Sequence, residues 1–467
     1  MQSPNLPTLR LVFYGDDFTG STDALEVLTA AGLKCALFLT PPTPETLAEM
    51  GGFDAIGIAG DSRGLNNAEM DEVLPDIFHA IKRLSPALVH YKVCSTFDSS
   101  PEVGSIGKVI ELAARAFDVK GIPIIAGNPA LGRYCVFGNL FALSRTDHLI
   151  HRIDRHPVMR AHPITPMREG DLSLHIGLQK PLSIDKIDIL QLEDLSGLTQ
   201  RVRDAAVGAD ALLFDGTTDA HMTTAGQVLT ELSDTGRPLF VVGSSGVEYG
   251  LTQYWRAANL TSGSDSQTTK LQSARQVLVV SGSASPLSSL QIDDALSNGF
   301  IELAVDAVAL ISDSRRDAAI QELVVTAVQH LKTGHSVLLH TAKGPEDPRV
   351  GQMIEAMIAK GLPRHEAKTQ GGKQLAVALG HTVLNILKTY PLERLVVSGG
   401  DTSSQITKVI GPDALVLKSY LSPGAPLCEV RSDQSCIANL EIALKGGQMG
   451  ERDYFVKALT GHTHTDV

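Results

Sequence analysis

At 467 residues, with 43% hydrophobic and 20% charged side chains, the chain is long enough for two domains with sizeable cores. A formal net charge of −12 argues against nucleic acid or an anionic membrane as partner, and there is no run of about 18 apolar residues to span a bilayer. Five scattered cysteines (35, 94, 135, 428 and 436) form no CxxC pair, and the opening MQSPNLPTLR has no apolar signal core, so a reduced, cytoplasmic protein is expected.

Short apolar runs alternate with helical stretches. Strands are predicted at 10–14, 34–39, 54–60, 87–93, 122–126, 211–215 and 237–243, with helices near 22–32, 67–84 and 105–117. Residues 128–175, rich in Pro, His and Arg, break this rhythm and are expected to be irregular, an excursion over a cleft. The polar stretch 258–275 is the expected linker. Beyond it strands are predicted at 276–281, 301–305, 336–340, 394–398 and 414–418, and helices at 286–298, 315–333, 371–388 and 403–410. The fold expected is α/β: two domains, 1–257 and 276–467, each with a mostly parallel sheet flanked by helices.

Chemistry is expected where strands end. Leu11-Val-Phe-Tyr-Gly-Asp-Asp-Phe-Thr-Gly-Ser-Thr-Asp23 runs an apolar strand into Asp16 and Asp17, and a helix is expected to start near Asp23. Adjacent carboxylates repel and resist burial, so two together suit substrate binding or proton removal. Capping of the helix by Asp17, Thr19 or Ser21 is the plainer alternative. Asp23 itself reads as a first-turn acid favoured by the helix dipole. Gly60-Asp-Ser-Arg63 ends another strand, and Arg63 could grip a carboxylate bidentately. Tyr91-Lys-Val-Cys-Ser-Thr96 ends a third; Lys92, Ser95 and Thr96 suit an anionic, hydroxylated ligand, whereas Cys94 reads as packing. The cation-dense stretch His151–Arg168 contains three His whose spacing matches no zinc site, so anion contact or plain surface is the better reading.

In the second half, Val280-Ser-Gly-Ser-Ala-Ser-Pro286 offers Ser281, Ser283 and Ser285 with free amides ahead of a helix, a phosphate-binding pattern. Leu395-Val-Val-Ser-Gly-Gly-Asp-Thr-Ser-Ser404 repeats the design: Gly399 and Gly400 permit close backbone approach to phosphates, Asp401 could orient Mg²⁺, and Thr402 adds a hydroxyl. Lys445-Gly-Gly-Gln-Met-Gly450 contributes Gly446 and Gly447. There is no GxxxxGK[ST], no GxGxxG after a strand and no GxSxG, which disfavours P-loop NTPases, dinucleotide dehydrogenases and α/β-hydrolases.

Together these motifs, in this order, resemble the four-carbon acid sugar kinase family. The resemblance rests on Gly15-Asp-Asp-Phe-Thr-Gly-Ser-Thr-Asp-Ala24, Asp61-Ser-Arg63, Lys92 with Ser95-Thr96, Pro129-Ala, Gly132-Arg133 and His162-Pro-Ile-Thr-Pro166 in the first half. In the second half it rests on Ser281–Pro286, Gly399–Thr402, Pro423-Gly-Ala-Pro426 and Lys445–Gly447. It implies an ATP-dependent kinase of threonate, erythronate or 3-oxo-tetronate type acids. The first domain would hold the acid and the second ATP, with domain closure bringing phosphate to hydroxyl. On this reading Asp17 or Asp16 positions or deprotonates the hydroxyl, Arg63 and Lys92 hold the carboxylate, and Ser95, Thr96 and Arg133 complete the substrate site. Ser281, Ser283, Ser285, Gly399, Gly400, Thr402, Gly446 and Gly447 cradle ATP, while Asp401 helps hold Mg²⁺. Two departures stand out. Where Asp-Ser-Thr-Leu-Arg-Gly is expected, the chain has Cys94-Ser-Thr-Phe-Asp-Ser99, and His162-Pro163 replaces an expected Asp-Pro. The chemistry therefore transfers better than the substrate. A different hydroxy acid, or a non-catalytic sensor of a sugar acid or nucleotide, is the rival reading. A homodimer is the assembly considered.

Overall fold

The computed structural model describes residues 9–144, 147–162, 164–233, 236–261 and 270–462. Pro163 and residues 262–269 of the expected linker lie outside them. The chain divides into two compact units, Met1–Gln267 and Thr268–Val467.

In chain order the first unit has strands β1 (Leu11–Gly15), β2 (Cys35–Phe38), β3 (Ala55–Ala59), β4 (Leu88–Lys92), β5 (Ile122–Ile125), β6 (Arg133–Val136), β7 (Asn139–Leu143), β8 (Ile150–Arg152), β9 (Ile184–Ile187), β10 (Ala211–Phe214) and β11 (Leu239–Gly243). Eight of them form a sheet in the order β2-β3-β1-β4-β11-β5-β10-β9, with every neighbouring pair parallel. Helices cover both faces, so these strands read as unbroken apolar runs; LVFYG, AIGIA and LVHYK are buried throughout. The strand order reverses beside β1, with β3 and β2 on one side and β4 and β11 on the other. The carboxyl ends of β1, β3 and β4 therefore border the crevice that such a reversal opens.

Two expectations need correction here. The first helix begins at Phe18, not near Asp23. Asp17 is its N-cap, and the small hydroxyl residues bond back into the helix: Ser21 Oγ donates to Asp17 O (2.7 Å) and Thr22 Oγ1 to Thr19 O (2.9 Å). Asp23 therefore sits in the second turn, beyond the reach of the helix-terminal charge assigned to it. The stretch 128–175 is also more regular than expected. It holds a three-stranded antiparallel sheet, β6-β7-β8, whose strands are only three to five residues long. Strands that short, half exposed and set between 3₁₀ turns, leave little periodic signal.

The second unit contains β12 (Val277–Ser281), β13 (Ile301–Ala304), β14 (Val337–His340), β15 (Arg394–Ser398), β16 (Ala414–Ser419), β17 (Leu427–Arg431) and β18 (Glu441–Lys445), in the order β13-β14-β12-β15-β18-β17-β16. β17 runs antiparallel to both β16 and β18, and the other neighbouring pairs, from β13 to β18, are parallel. β17 and β18 were not foreseen. The helix predicted at 371–388 spans Arg364–Thr389, its start hidden by the polar run RHEAKTQGG. No helix among the described residues is long and apolar enough to cross a membrane.

Candidate active site

Parallel register sets the first cluster. Gly15 pairs with Ala59 of β3 and Lys92 of β4, so three strands end at one level. Arg63, in the 3₁₀ turn Ser62–Gly64 after β3, reaches across to the end of β1. Its Nε and Nη2 donate to Asp16 Oδ2 and Oδ1 (3.1 and 2.6 Å), and its Nη1 donates to Asp17 Oδ2 (3.0 Å). Within the chain the bidentate face of Arg63 is taken by Asp16, leaving one N–H on each terminal nitrogen uncommitted to these carboxylates.

The two aspartates differ in setting. Asp16 is buried, its side chain 8% exposed, whereas that of Asp17 is 28% exposed. Burial pushes Asp16 up to about 6, against the pull of Arg63. Burial acts on Asp17 too, but Arg63, Lys92, the Thr19 hydroxyl and the Gly20 amide outweigh it and hold the carboxyl below its ordinary range. Asp17 also does the plainer task, accepting from Gly20 N at 2.9 Å as helix cap.

Lys92 is 4% exposed. Its Nζ lies 4.0 Å from Asp23 Oδ2 and rests over the first helical turn. A Cβ at Gly20 would fall 2.9 Å from that nitrogen and 2.4 Å from Asp17 Oδ1, so only glycine leaves both groups their places. Asp23 bonds in turn to Ser245, and burial raises its pKa against the pull of Lys92. Ser245 Oγ accepts from Asn128 Nδ2 (3.1 Å). Beneath them His90 Nδ1 and Glu248 Oε1 meet at 2.6 Å, both fully buried. Sequence reasoning missed Asp23, Asn128, Ser245 and the His90–Glu248 pair. Gly243-Ser-Ser-Gly246, after an apolar strand, was the available signal.

The remaining first-unit candidates are placed differently. Ser95 is half-buried. Thr96 Oγ1 donates to Asp98 Oδ1 (2.6 Å) and lies 3.1 Å from Cys94 Sγ, inside a turn whose buried Phe97 adopts a left-handed φ of 53°. Arg133 sits at the start of β6, its guanidinium bonded to the main-chain carbonyls of Leu131, Gly132 and Leu143 rather than joined to the Asp16–Asp17–Arg63 cluster. Of the three histidines of 151–168, two serve local turns, His156 Nδ1 accepting from Val158 N and His162 Nδ1 from Thr165 N, while His151 Nε2 lies 2.8 Å from Asp147 Oδ2.

In the second unit three loops converge. Ser285 caps the helix Pro286–Ser297, accepting from Ser288 N, and donates to Gly447 O (2.5 Å). Ser283 Oγ accepts from Ser285 N (3.2 Å), and a Cβ at Gly447 would lie 2.3 Å from that hydroxyl. Gly399 turns at φ 116°, a conformation that side chains rarely adopt, and Gly400, Asp401 and Thr402 follow in the first turn of the helix Gly400–Ile410. Thr402 is buried against Gly282, Asp401 is exposed, and Gly446 is half-buried. Ser281 is fully buried. Among the described residues no group of three or more His, Cys, Asp or Glu is set to hold a metal.

Residues 11–251 match the sugar-binding N-terminal domain family, and residues 278–455 match the nucleotide-binding C-terminal domain family. A Paraburkholderia graminis protein named 3-oxo-isoapionate kinase is 41% identical over 96% of this chain and 93% of its own. The chain belongs to the four-carbon acid sugar kinase family. A 3-oxo-tetronate kinase from Pseudomonas savastanoi pv. phaseolicola is a more distant relative of this family member, 27% identical over 95% of both chains. The same fold is found in solved structures from Salmonella typhimurium LT2 (TM-score 0.75, 22% identity, 97% of this chain and 99% of that one) and Haemophilus influenzae (0.69, 20%, 96% and 98%). The enzyme class expected from the sequence, a kinase, is that of the family.

Proposed function

We propose that this kinase transfers the γ-phosphoryl group of ATP to a hydroxyl of a small 3-oxo sugar acid. The observation that carries the reading is the Asp16–Asp17–Arg63–Lys92 cluster on three adjacent strand ends, facing a crevice of the kind where α/β sheets bind ligands. Asp17, the more exposed carboxylate, is the group that meets the acceptor hydroxyl. Its low basicity suits phosphoryl transfer, in which bond making to the acceptor lags and the proton leaves late. Asp16 anchors Arg63, and Lys92 with the remaining N–H groups of Arg63 supplies positive charge for the substrate carboxylate.

The Ser281–Ser285, Gly399–Thr402 and Lys445–Gly447 loops cradle the nucleotide phosphates with amides and hydroxyls. Mg²⁺ would arrive with the nucleotide and be held mainly by it. Asp401, a single exposed carboxylate in a helix first turn, is the one protein ligand suggested, and the ion would neutralise phosphate charge. The 41% relative supports an acid of the 3-oxo-isoapionate type ahead of the tetronates acted on by the 27% relatives.

The test is ADP release with MgATP and a panel of 3-oxo-isoapionate, 3-oxo-tetronate, threonate and erythronate. Release with the first is expected. Release with a tetronate alone overturns the substrate assignment. Silence with every acid, alongside clear nucleotide binding, favours the sensor reading.

A further inference from the structure

Ser281, Ser398 and Lys445 are register partners on adjacent parallel strands β12, β15 and β18, so their side chains leave the sheet on one face. All three are 0% exposed, and Val279, Val396 and Ala443 continue the same face into the apolar core. Lys445 Nζ donates to Ser398 Oγ at 2.9 Å. Ser398 Oγ lies 3.4 Å from Ser288 Oγ, which donates to Gly447 O at 3.2 Å. The rings of Tyr454 and Phe455 each stand 5.8 Å from the nitrogen. The carboxylates of the adjoining strands are engaged elsewhere: Glu441 of the same strand pairs with Arg394 and Lys418, and Glu429 of β17 with Lys418 and Arg431. Asp294 of the neighbouring helix has Oδ1 4.0 Å from Arg452 Nε and its Oδ2 buried without a hydrogen-bond partner, and Asp401 is exposed. Lys445 is thus a buried amine with a hydroxyl partner and, among the described residues, no carboxylate at ion-pair distance, set under the Gly399 and Gly447 turns. One strand further along the same face, beyond Ser398, the hydroxyl of Ser281 is buried without a hydrogen-bond partner.

A buried ammonium without a counter-ion is strongly destabilising. Burial alone pushes this amine down to about 7. The missing counter-charge is what a nucleotide would bring. We propose that Lys445 is the positioning residue and counter-charge of the nucleotide loops: it rests as a neutral amine and takes up a proton from solvent when the phosphates of a nucleoside di- or triphosphate dock. Ser398 and Ser288 connect it to the Gly399 and Gly447 turns. The inference rests on the nucleotide-binding reading of the second unit and adds a proton-linked residue to it.

Calorimetric titration of the full-length protein with MgADP at pH 8, in two buffers of different ionisation enthalpy, tests it. The nucleotide is already fully ionised there, so wild type should take up close to one proton. The variant Lys445→Met should show buffer-independent heat and bind MgADP at least about tenfold more weakly, with a melting temperature no lower than wild type. Buffer-independent heat in wild type, or Lys445→Met affinity within about twofold of wild type, would overturn the proposal. If Lys445→Met does not fold, the wild-type buffer dependence still decides. No MgADP binding by wild type in either buffer would instead overturn the nucleotide reading itself.

Discussion

Asp16 and Asp17 are neighbours in the chain with opposite electrostatics. Asp17 has lost basicity to Arg63, Lys92 and the start of its own helix, whereas burial has raised Asp16 to about 6. Replacing Asp17 by Asn keeps a good helix cap and removes the acceptor charge. It should lower kcat by about 10²–10⁴-fold with the KM for ATP unchanged, as measured by coupled ADP release. Near-normal turnover would remove Asp17 from the mechanism. The pH dependence follows from the sign of the Asp16 shift. Its folded pKa lies above the unfolded value of 3.8, so the folded state holds a proton that the unfolded state lacks between about 3.8 and 6. Stability contributed by that proton is complete below 3.8 and lost as pH rises through 6. Activity should run the other way. Protonation of Asp16 weakens the anchoring of Arg63, so kcat/KM should fall on the acid side with an apparent pKa near 6. A kcat/KM profile flat from pH 5 to 7 would contradict this assignment.

At the scale of elements, the first helix is where capping, packing and chemistry coincide. Gly20 lies in its first turn, where alanine would ordinarily stabilise by about 1 kcal/mol. Here a Cβ would enter the space of Asp17 Oδ1 and Lys92 Nζ. The substitution Gly20→Ala should therefore reduce kcat/KM by more than about tenfold while leaving the thermal midpoint within a few degrees. A fully active variant would mean that Lys92 does not need its observed place. The polar turns after β1, β3 and β4 were readable from the sequence because each is a local pattern, an apolar run followed at once by charge and hydroxyls. The Arg63–Asp16 pairing was not, since it joins residues 47 apart through strand register. The same holds for Asp23. Its role depends on where the helix begins, which Asp17 as cap decides.

Across the whole molecule, the proposed chemistry is divided between two units, and kinetics can test that division. Lys92→Met, in the first unit, should raise the KM for the acid by about tenfold or more with that for ATP unchanged. Gly447→Ala brings a Cβ against Ser283 Oγ in the second unit and should do the reverse. Effects that cross over would show that the division is wrong. The sequence by itself determined the α/β class, the parallel rhythm, the strand-end motifs and the family, because all of these reside in local periodicity and short contiguous motifs. Tertiary structure decided the partners: Arg63 on two aspartates, Lys92 against Asp23, Lys445 beside Ser398, and Arg133 on backbone carbonyls instead of in the cluster. It also made an antiparallel sheet of 133–152, where composition suggested only an excursion. The physical reason is common to these cases. Hydrogen-bond and charge partners are chosen by strand register and burial, which bring together residues tens to hundreds of positions apart, and no local pattern encodes that pairing.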